Sequence, residues 1–170
     1  MLALEVLEIC PRKKKALLCV VNGIGLFDTN IIAFNLDKST PSLPPQVAFQ
    51  IQLKSQGVTI YHTVVDEVAS TCVMHTSCWK ALWTPTLAPS PTMLQAFDGH
   101  LFQPKGIILG FPVELGWKNV NIGVEDFDSP FDYNILLGWS WYDDMHVVVF
   151  GMVQVICFPH EGKVVTINQL

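Results

Sequence analysis

The run Val58-Thr-Ile-Tyr-His-Thr-Val-Val65 passes without a break into Asp66-Glu-Val-Ala-Ser-Thr-Cys-Val-Met74, and the fold turns on how this stretch is read. Its first half is rich in β-branched side chains, which suit a pleated strand. An acid at the strand's end, followed by the small residues Ala69 and Ser70, implies a tight turn that holds a carboxyl in a low-dielectric setting. Immediately upstream, Val47-Ala-Phe-Gln-Ile-Gln-Leu53 puts Val47, Phe49, Ile51 and Leu53 on one side at period two. Lys54-Ser-Gln-Gly57 supplies turn chemistry between the two runs, so together they read as a hairpin.

The same pattern recurs outward from that hairpin. Phe97-Asp98-Gly99 is a tight-turn signal between apolar stretches. Phe111 to Leu115, Gly116 to Asn119 and Val120 to Val124 form another strand-turn-strand unit, and Tyr133 to Leu137 is a short apolar run stopped by Gly138. His146 to Phe158, Pro159 to Gly162 and Lys163 to Ile167 repeat it at the C-terminal end. Only Ser70 to Leu82 and Ser140 to Met145 have helical character, and both are short. Many short strands at regular spacing predict an all-β fold, a small barrel or sandwich. Upstream, Lys38 to Gln46 crowds prolines at positions 41, 44 and 45 and reads as an extended linker. Residues 1–46 are therefore expected to be a loosely ordered spacer, with one domain over 47–170.

The chain has 170 residues, enough to bury a self-sufficient core. With 50% hydrophobic and 15% charged residues and a mean hydropathy of +0.37, it is too apolar for a disordered polymer. Its formal charge of −5 lacks the basic excess of a dedicated nucleic-acid binder, and Arg12 is the only arginine available for bidentate contacts to phosphate or guanine. No nucleic-acid partner is expected. The cysteines, Cys10, Cys19, Cys72, Cys78 and Cys157, are five in number and contain no CxxC pair, which favours a reducing compartment, intracellular and cytoplasmic, over a disulfide scaffold. No apolar run reaches the roughly 18 residues that span a bilayer, so no membrane partner is expected either. Ala16 to Phe27 follows Pro11-Arg12-Lys13-Lys14-Lys15 and mimics a leader, but Glu5 and Glu8 lie upstream and a buried strand or helix is the simpler reading.

Several constellations lack the geometry their chemistry needs. Cys72-x-x-His75-x-x-Cys78 spaces ligand types three apart, but on one helix the third would lie about 240° round from the first, and no fourth ligand follows. Gly23-x-Gly25 lacks the third glycine of a dinucleotide loop. Glu125-Asp126-x-Asp128 lacks EF-hand spacing and reads as a solvated loop, and no G-x-S-x-G elbow occurs. Neither a metal nor a cofactor is expected.

The strand ending in Asp66 and the later apolar run Tyr133-Asn-Ile-Leu-Leu-Gly138 form a pair that resembles the two signatures of the retropepsin family. The likeness extends to the aspartic protease of plant gypsy-type retrotransposon polyproteins, through Asp66 to Met74, Ser77 to Leu82, Pro91 to Gly99, Phe111 to Gly116, Tyr133 to Trp141 and Phe158 to Leu170. It covers about residues 47–170. The resemblance implies a small closed retropepsin-like barrel with a flap hairpin and one short C-terminal helix. It implies hydrolysis of a polypeptide substrate by two aspartates that share one proton, because like charges so close cannot both ionise. The chain holds one such Asp, Asp66, so the second would come from a homodimer partner across a two-fold axis. Glu67, Val68, Ala69 and Ser70 would complete the active-site turn. Leu94 to Gly106, with Phe97, Asp98 and Gly99 at its tip, would be the flap, and Ile135, Leu136, Leu137 and Gly138 the second motif.

Three positions depart from the family pattern. The wider family has Ser or Thr where Glu67 stands, although the plant retroelement group often carries Glu there. It has Gly at the position of Val68, where a β-branched residue predicts about 1–3 kcal/mol of strain if the same turn is kept. It commonly has Arg where Trp139 stands. These departures imply impaired activity; the alternative is a catalytically inactive dimerisation or peptide-binding remnant of the same fold.

Overall fold

The structure is a computed structural model and describes residues 47–95, 99–130, 132–151 and 154–170; the spacer expected over 1–46 lies outside the described residues. The chain divides into two compact units, one comprising Ala48–Asp144 and the other including Met145–Leu170.

In the larger unit, β1 (Gln50–Ser55) and β2 (Val58–Val65) pair antiparallel as the expected hairpin. β3 (Cys72–His75) leads into the short helix α1 (Thr76–Ala81). The two-residue strands β4 (Leu94–Gln95) and β5 (Leu101–Phe102) pair with each other. β6 (Gly106–Leu115) and β7 (Lys118–Phe127) form a long hairpin, followed by β8 (Ile135–Leu137) and the helix α2 (Trp139–Met145). Strands β1-β2-β8-β3-β7-β6 close into a barrel, sealed where Lys54 of β1 pairs with Glu114 of β6. The all-β barrel expectation is met, and α1 joins the single helix foreseen near the C-terminal end. Only the second part of Ser70 to Leu82 is helical: Cys72 to His75 lies between β8 and β7 as a buried strand, where ladder pairing outweighs local helix propensity.

Alternation in β1 buries Ile51, Leu53 and Ser55 and exposes Gln52 and Lys54. In β2 the alternation breaks, because Ile51 faces Thr63 while Leu53 faces Ile60. His62, at φ 51°, takes up the extra residue as a bulge and returns Thr63 and Val65 to the interior. A second bulge in β6, between Ile108 and Phe111, uses Gly110 at φ 69°. The barrel core is apolar, with Ile51, Met74, Phe111, Val124, Ile135 and Leu137 all nearly inaccessible. Each such side chain contributes about 1.5–3 kcal/mol by burial.

In the smaller unit, β9 (Val148–Phe150), β10 (Val155–His160) and β11 (Lys163–Asn168) form an antiparallel sheet in the order β11-β10-β9. The β10–β11 turn is the Pro159 to Gly162 turn read from the sequence, with Glu161 and Gly162 both at positive φ. No helix among the described residues is long and apolar enough to cross a membrane.

Glu125 and Asp126 do not lie on a solvated loop. They belong to β7 and are 1% and 0% exposed, because pairing with Ile107 and Gly106 carries the strand past its apolar section. The Thr76 hydroxyl donates to Asp126 Oδ2 at 3.0 Å, while Oδ1 has no partner among the described residues. Burial holds the Asp126 carboxyl above its ordinary value, against the opposing hydrogen bond from Thr76 and the charge of Lys105. The folded chain thus retains a proton that the unfolded chain releases first. This contribution to stability is complete below the ordinary carboxylate value and is lost as pH rises through the raised folded value. Asp126→Asn is expected to raise the thermal midpoint at neutral pH by a few degrees, the shift of about 1 kcal/mol in a domain of this size. Scanning calorimetry across pH checks this: the gain should vanish near about pH 4, and a gain unchanged in acid would refute the assignment.

Candidate functional site

Parallel pairing of β2 with β8 matches Val65 to Leu137, so the two strands end side by side and their following residues meet. The Asp66 amide donates to the Leu137 carbonyl at 3.0 Å, extending the ladder by one rung. The chain then turns: the Val68 amide donates to Asp66 Oδ1 at 2.9 Å, an Asx-type closure that aspartate makes readily. The turn folds back over Gly138, and the Trp139 amide donates to the Ala69 carbonyl at 2.8 Å. A Cβ at Gly138 would stand 2.7 Å from the Ala69 carbonyl oxygen and closer still to that of Thr71, so glycine is required by proximity rather than by φ.

Cys72 seals this junction from behind. Its buried Sγ accepts from the Gly138 amide at 3.3 Å and lies 3.4 Å from Ser140 Oγ. Burial pushes the Cys72 thiol up, with the Ser140 hydrogen bond opposing, so it stays protonated and inert at neutral pH. Cys72, His75 and Cys78 do not converge as ligands. The His75 ring instead caps α1 by accepting from the Ser77 amide at 3.0 Å, Cys78 is buried in that helix, and no group of three metal-binding side chains occurs among the described residues.

Asp66 lies in the wall of an open cleft of about 650 Å³. Val68, Ala69 and Ser70 of the turn and Leu136 of β8 share that wall. Met93, Leu94, Gln95 and Phe102, around the β4–β5 ribbon, line the cleft as well, with Phe127 and Tyr133. The lining is mainly apolar, with one carboxylate set into it. Tyr133 responds to that carboxylate: burial, and then the Asp66 charge, push its phenol up to about 12. The Tyr142 phenol is raised by burial and then by Glu67 and Asp66. Both tyrosines are therefore neutral across the physiological range.

The sequence-predicted residues are thus partly assembled. Asp66, Ala69, Ser70, Leu136 and Gly138 meet at one junction, flanked by Ile135 and Leu137 in the barrel core. Of the expected flap tip, Phe97 and Asp98 lie outside the described residues, while Gly99 is at φ 87° beside the paired β4 and β5. Glu67 is exposed. Val68 is 91% exposed, and it is not among the residues at positive φ. The strain expected of Val68 applies if the family's turn is kept; in this turn, closed by the Val68 amide on Asp66 Oδ1, Val68 stays out of the positive-φ region. Trp139, at the position where the family commonly has Arg, begins α2 and stacks on Tyr142 with ring centroids 6.5 Å apart. Met93, Phe127 and Tyr133 escaped the sequence reading as cleft residues; the one available signal was their place at the edges of strands that precede or follow the turn motifs.

No protein-family model matches the chain, and no curated protein matches it. Among solved structures, it is similar to the retroviral protease-like domain of Ddi1 from Leishmania major, with a TM-score of 0.58 and 11% identity, over 74% of this chain and 96% of that one. It is similar too to EIAV protease complexed with the inhibitor HBY-793, with a TM-score of 0.50 and 13% identity, over 70% of this chain and 99% of that one. The fold is therefore retropepsin-like.

Gly138→Ala tests the junction directly. Forcing a methyl against two carbonyls should destabilise the barrel by about 1–3 kcal/mol or more, read as a lower urea midpoint. Ala at Gly151, where a Cβ meets nothing within 4 Å, is the control and should leave the midpoint nearly unchanged.

Proposed function

We propose that this chain is an aspartic endopeptidase-like domain derived from the polyprotein of a plant gypsy-type retrotransposon, and that it cleaves peptide bonds as a homodimer with reduced efficiency. In this reading residues 47–170 form the protease domain and 1–46 the spacer. The observation that carries it is Asp66, held at the β2–β8 junction in the wall of an apolar cleft, in a barrel of retropepsin-like fold.

One carboxyl alone cannot serve as base and acid at once, so the reaction uses Asp66 and the Asp66 of a second copy. The ionised carboxylate takes a proton from water as the water oxygen attacks the scissile carbonyl carbon. The protonated partner donates its proton toward the carbonyl oxygen, which yields a neutral tetrahedral diol. Collapse of the diol breaks the C–N bond: the carboxyl protonated in the first step gives its proton to the leaving nitrogen, and the ionised partner takes one from a diol hydroxyl, which restores the pair. The apolar lining favours an extended apolar peptide.

The departures bear on efficiency. Exposed Glu67 and Val68 stand at the rim of the turn, where two copies would have to approach. A pair of Glu67 carboxylates across the axis repels at neutral pH, and two Val68 side chains occupy space that glycine would leave empty. This observation favours a second reading, a peptide-binding dimer that no longer hydrolyses.

Purified full-length protein incubated with an apolar peptide library at about pH 4 to 6 is expected to cleave, and Asp66→Asn to lower the rate by about 10²–10⁴-fold. Binding of a statine-containing peptide without cleavage supports the second reading, and neither binding nor cleavage defeats both. In sedimentation at micromolar concentration the protein is expected to be a dimer, tightened by Val68→Gly. A strict monomer cannot assemble the pair of acids.

A further inference from the structure

The loop between α1 and β4 is anchored at three successive points, the first on α1 and the next two on barrel strands. Trp79 Nε1 donates to the Pro85 carbonyl at 2.9 Å. Ala88 and Ile107 exchange reciprocal backbone hydrogen bonds at 2.9 Å, and a Cβ at Gly106 would lie 2.7 Å from the Ala88 carbonyl oxygen. The third anchor is the last before the cleft. Ser90 Oγ donates to Glu125 Oε1 at 3.0 Å and accepts from the Thr92 amide at 3.0 Å. Met93, Leu94 and Gln95, the next residues along, line the same cleft as Asp66.

Burying a carboxylate on a barrel strand is unfavourable unless it is hydrogen-bonded, and Glu125 is 1% exposed with Oε2 unpartnered among the described residues. An apolar side chain would fill that place at lower free energy but would leave Ser90 with nothing to grip. We infer that Glu125, acting through Ser90, is a positioning residue that fixes the Met93–Gln95 wall of the cleft and so sets its affinity for peptide. The geometry makes the effect local. Without the Ser90–Glu125 bond the Pro85 and Ala88 anchors still hold the front of the loop, and freedom is gained only from Ser90 onward. Glu125 touches no substrate in this arrangement.

The inference rests on the protease-like reading for its consequence to substrate, but its structural core is measured on the free protein. Amide hydrogen exchange in the full chain is followed at Leu94, Gln95, Leu101 and Phe102, with Leu53 and Ile60 of the first hairpin as reference. Ser90→Ala is expected to speed exchange in the β4–β5 ribbon by about ten-fold, the loss of roughly one net hydrogen bond, and to leave the reference amides unchanged. Glu125→Gln, which keeps an acceptor for Ser90, should stay near wild type, while Glu125→Ala should behave as Ser90→Ala does. In the cleavage assay Ser90→Ala should raise KM several-fold with kcat nearly constant. Unchanged exchange in the ribbon overturns the inference, and so does acceleration spread equally over the barrel, which would mark Glu125 as general support. Failure of wild-type protein to cleave any peptide would defeat the protease reading and leave the exchange result standing.

Discussion

Parallel pairing of β2 with β8 is the constraint from which the site follows. Parallel strands cannot be joined by a tight turn, so the whole intervening chain, from β3 to β7, serves as their connection. The pairing then aligns two strand ends, and the missing Cβ of Gly138 lets the Asp66 turn lie directly on the neighbouring backbone. Asp66 is held from both sides of the junction, its backbone amide donating to Leu137 and its carboxylate accepting from the Val68 amide. It does not depend on a long side chain or on a mobile loop for its position. Such support suits the catalytic role proposed above, because small displacements at a reacting centre cost rate steeply.

Much of this was legible along the chain. Hairpins are local, so alternation in Val47 to Leu53 and the turn at Gly57 suffice to specify β1 and β2, and the β6–β7 hairpin around Gly116 is equally plain. The bulges at His62 and Gly110 were not legible, since a strand's period reveals which residues alternate and not where an extra one is absorbed. Cys72 to His75 misled in the other direction. A four-residue strand buried between two others carries no alternation at all, and it blends into the helix that follows.

At the site, Asp66 and Gly138 were readable because each sits where a strand run stops. At Val68 the sequence predicts strain only if the family's turn is kept, and the turn present here, closed on Asp66 Oδ1, does not ask for the left-handed region. What Val68 retains is an exposed apolar side chain beside the acid. In the homodimer proposed above, that side chain would bear on the encounter between two copies. The Cys72 thiol is a similar case. Its cysteine–histidine spacing hints at ligation, yet in three dimensions the sulfur caps an amide at the junction and the histidine caps a helix.

The buried acids of β7 were the least legible feature, and the reason is instructive. Sequence reading assigns carboxylates to solvent because isolated burial is so unfavourable. Neighbouring residues on a strand point to opposite sides, so Glu125 and Asp126 address different partners, Ser90 on one loop and Thr76 at the start of α1. Two hydroxyls far apart in the chain thereby become fixed to one strand. A fully apolar β7 would fold with a larger margin and would leave both segments to pack by contact alone. Hydrogen bonds add direction that apolar contact lacks, and direction is the property required of a segment whose next residues form the wall of a cleft.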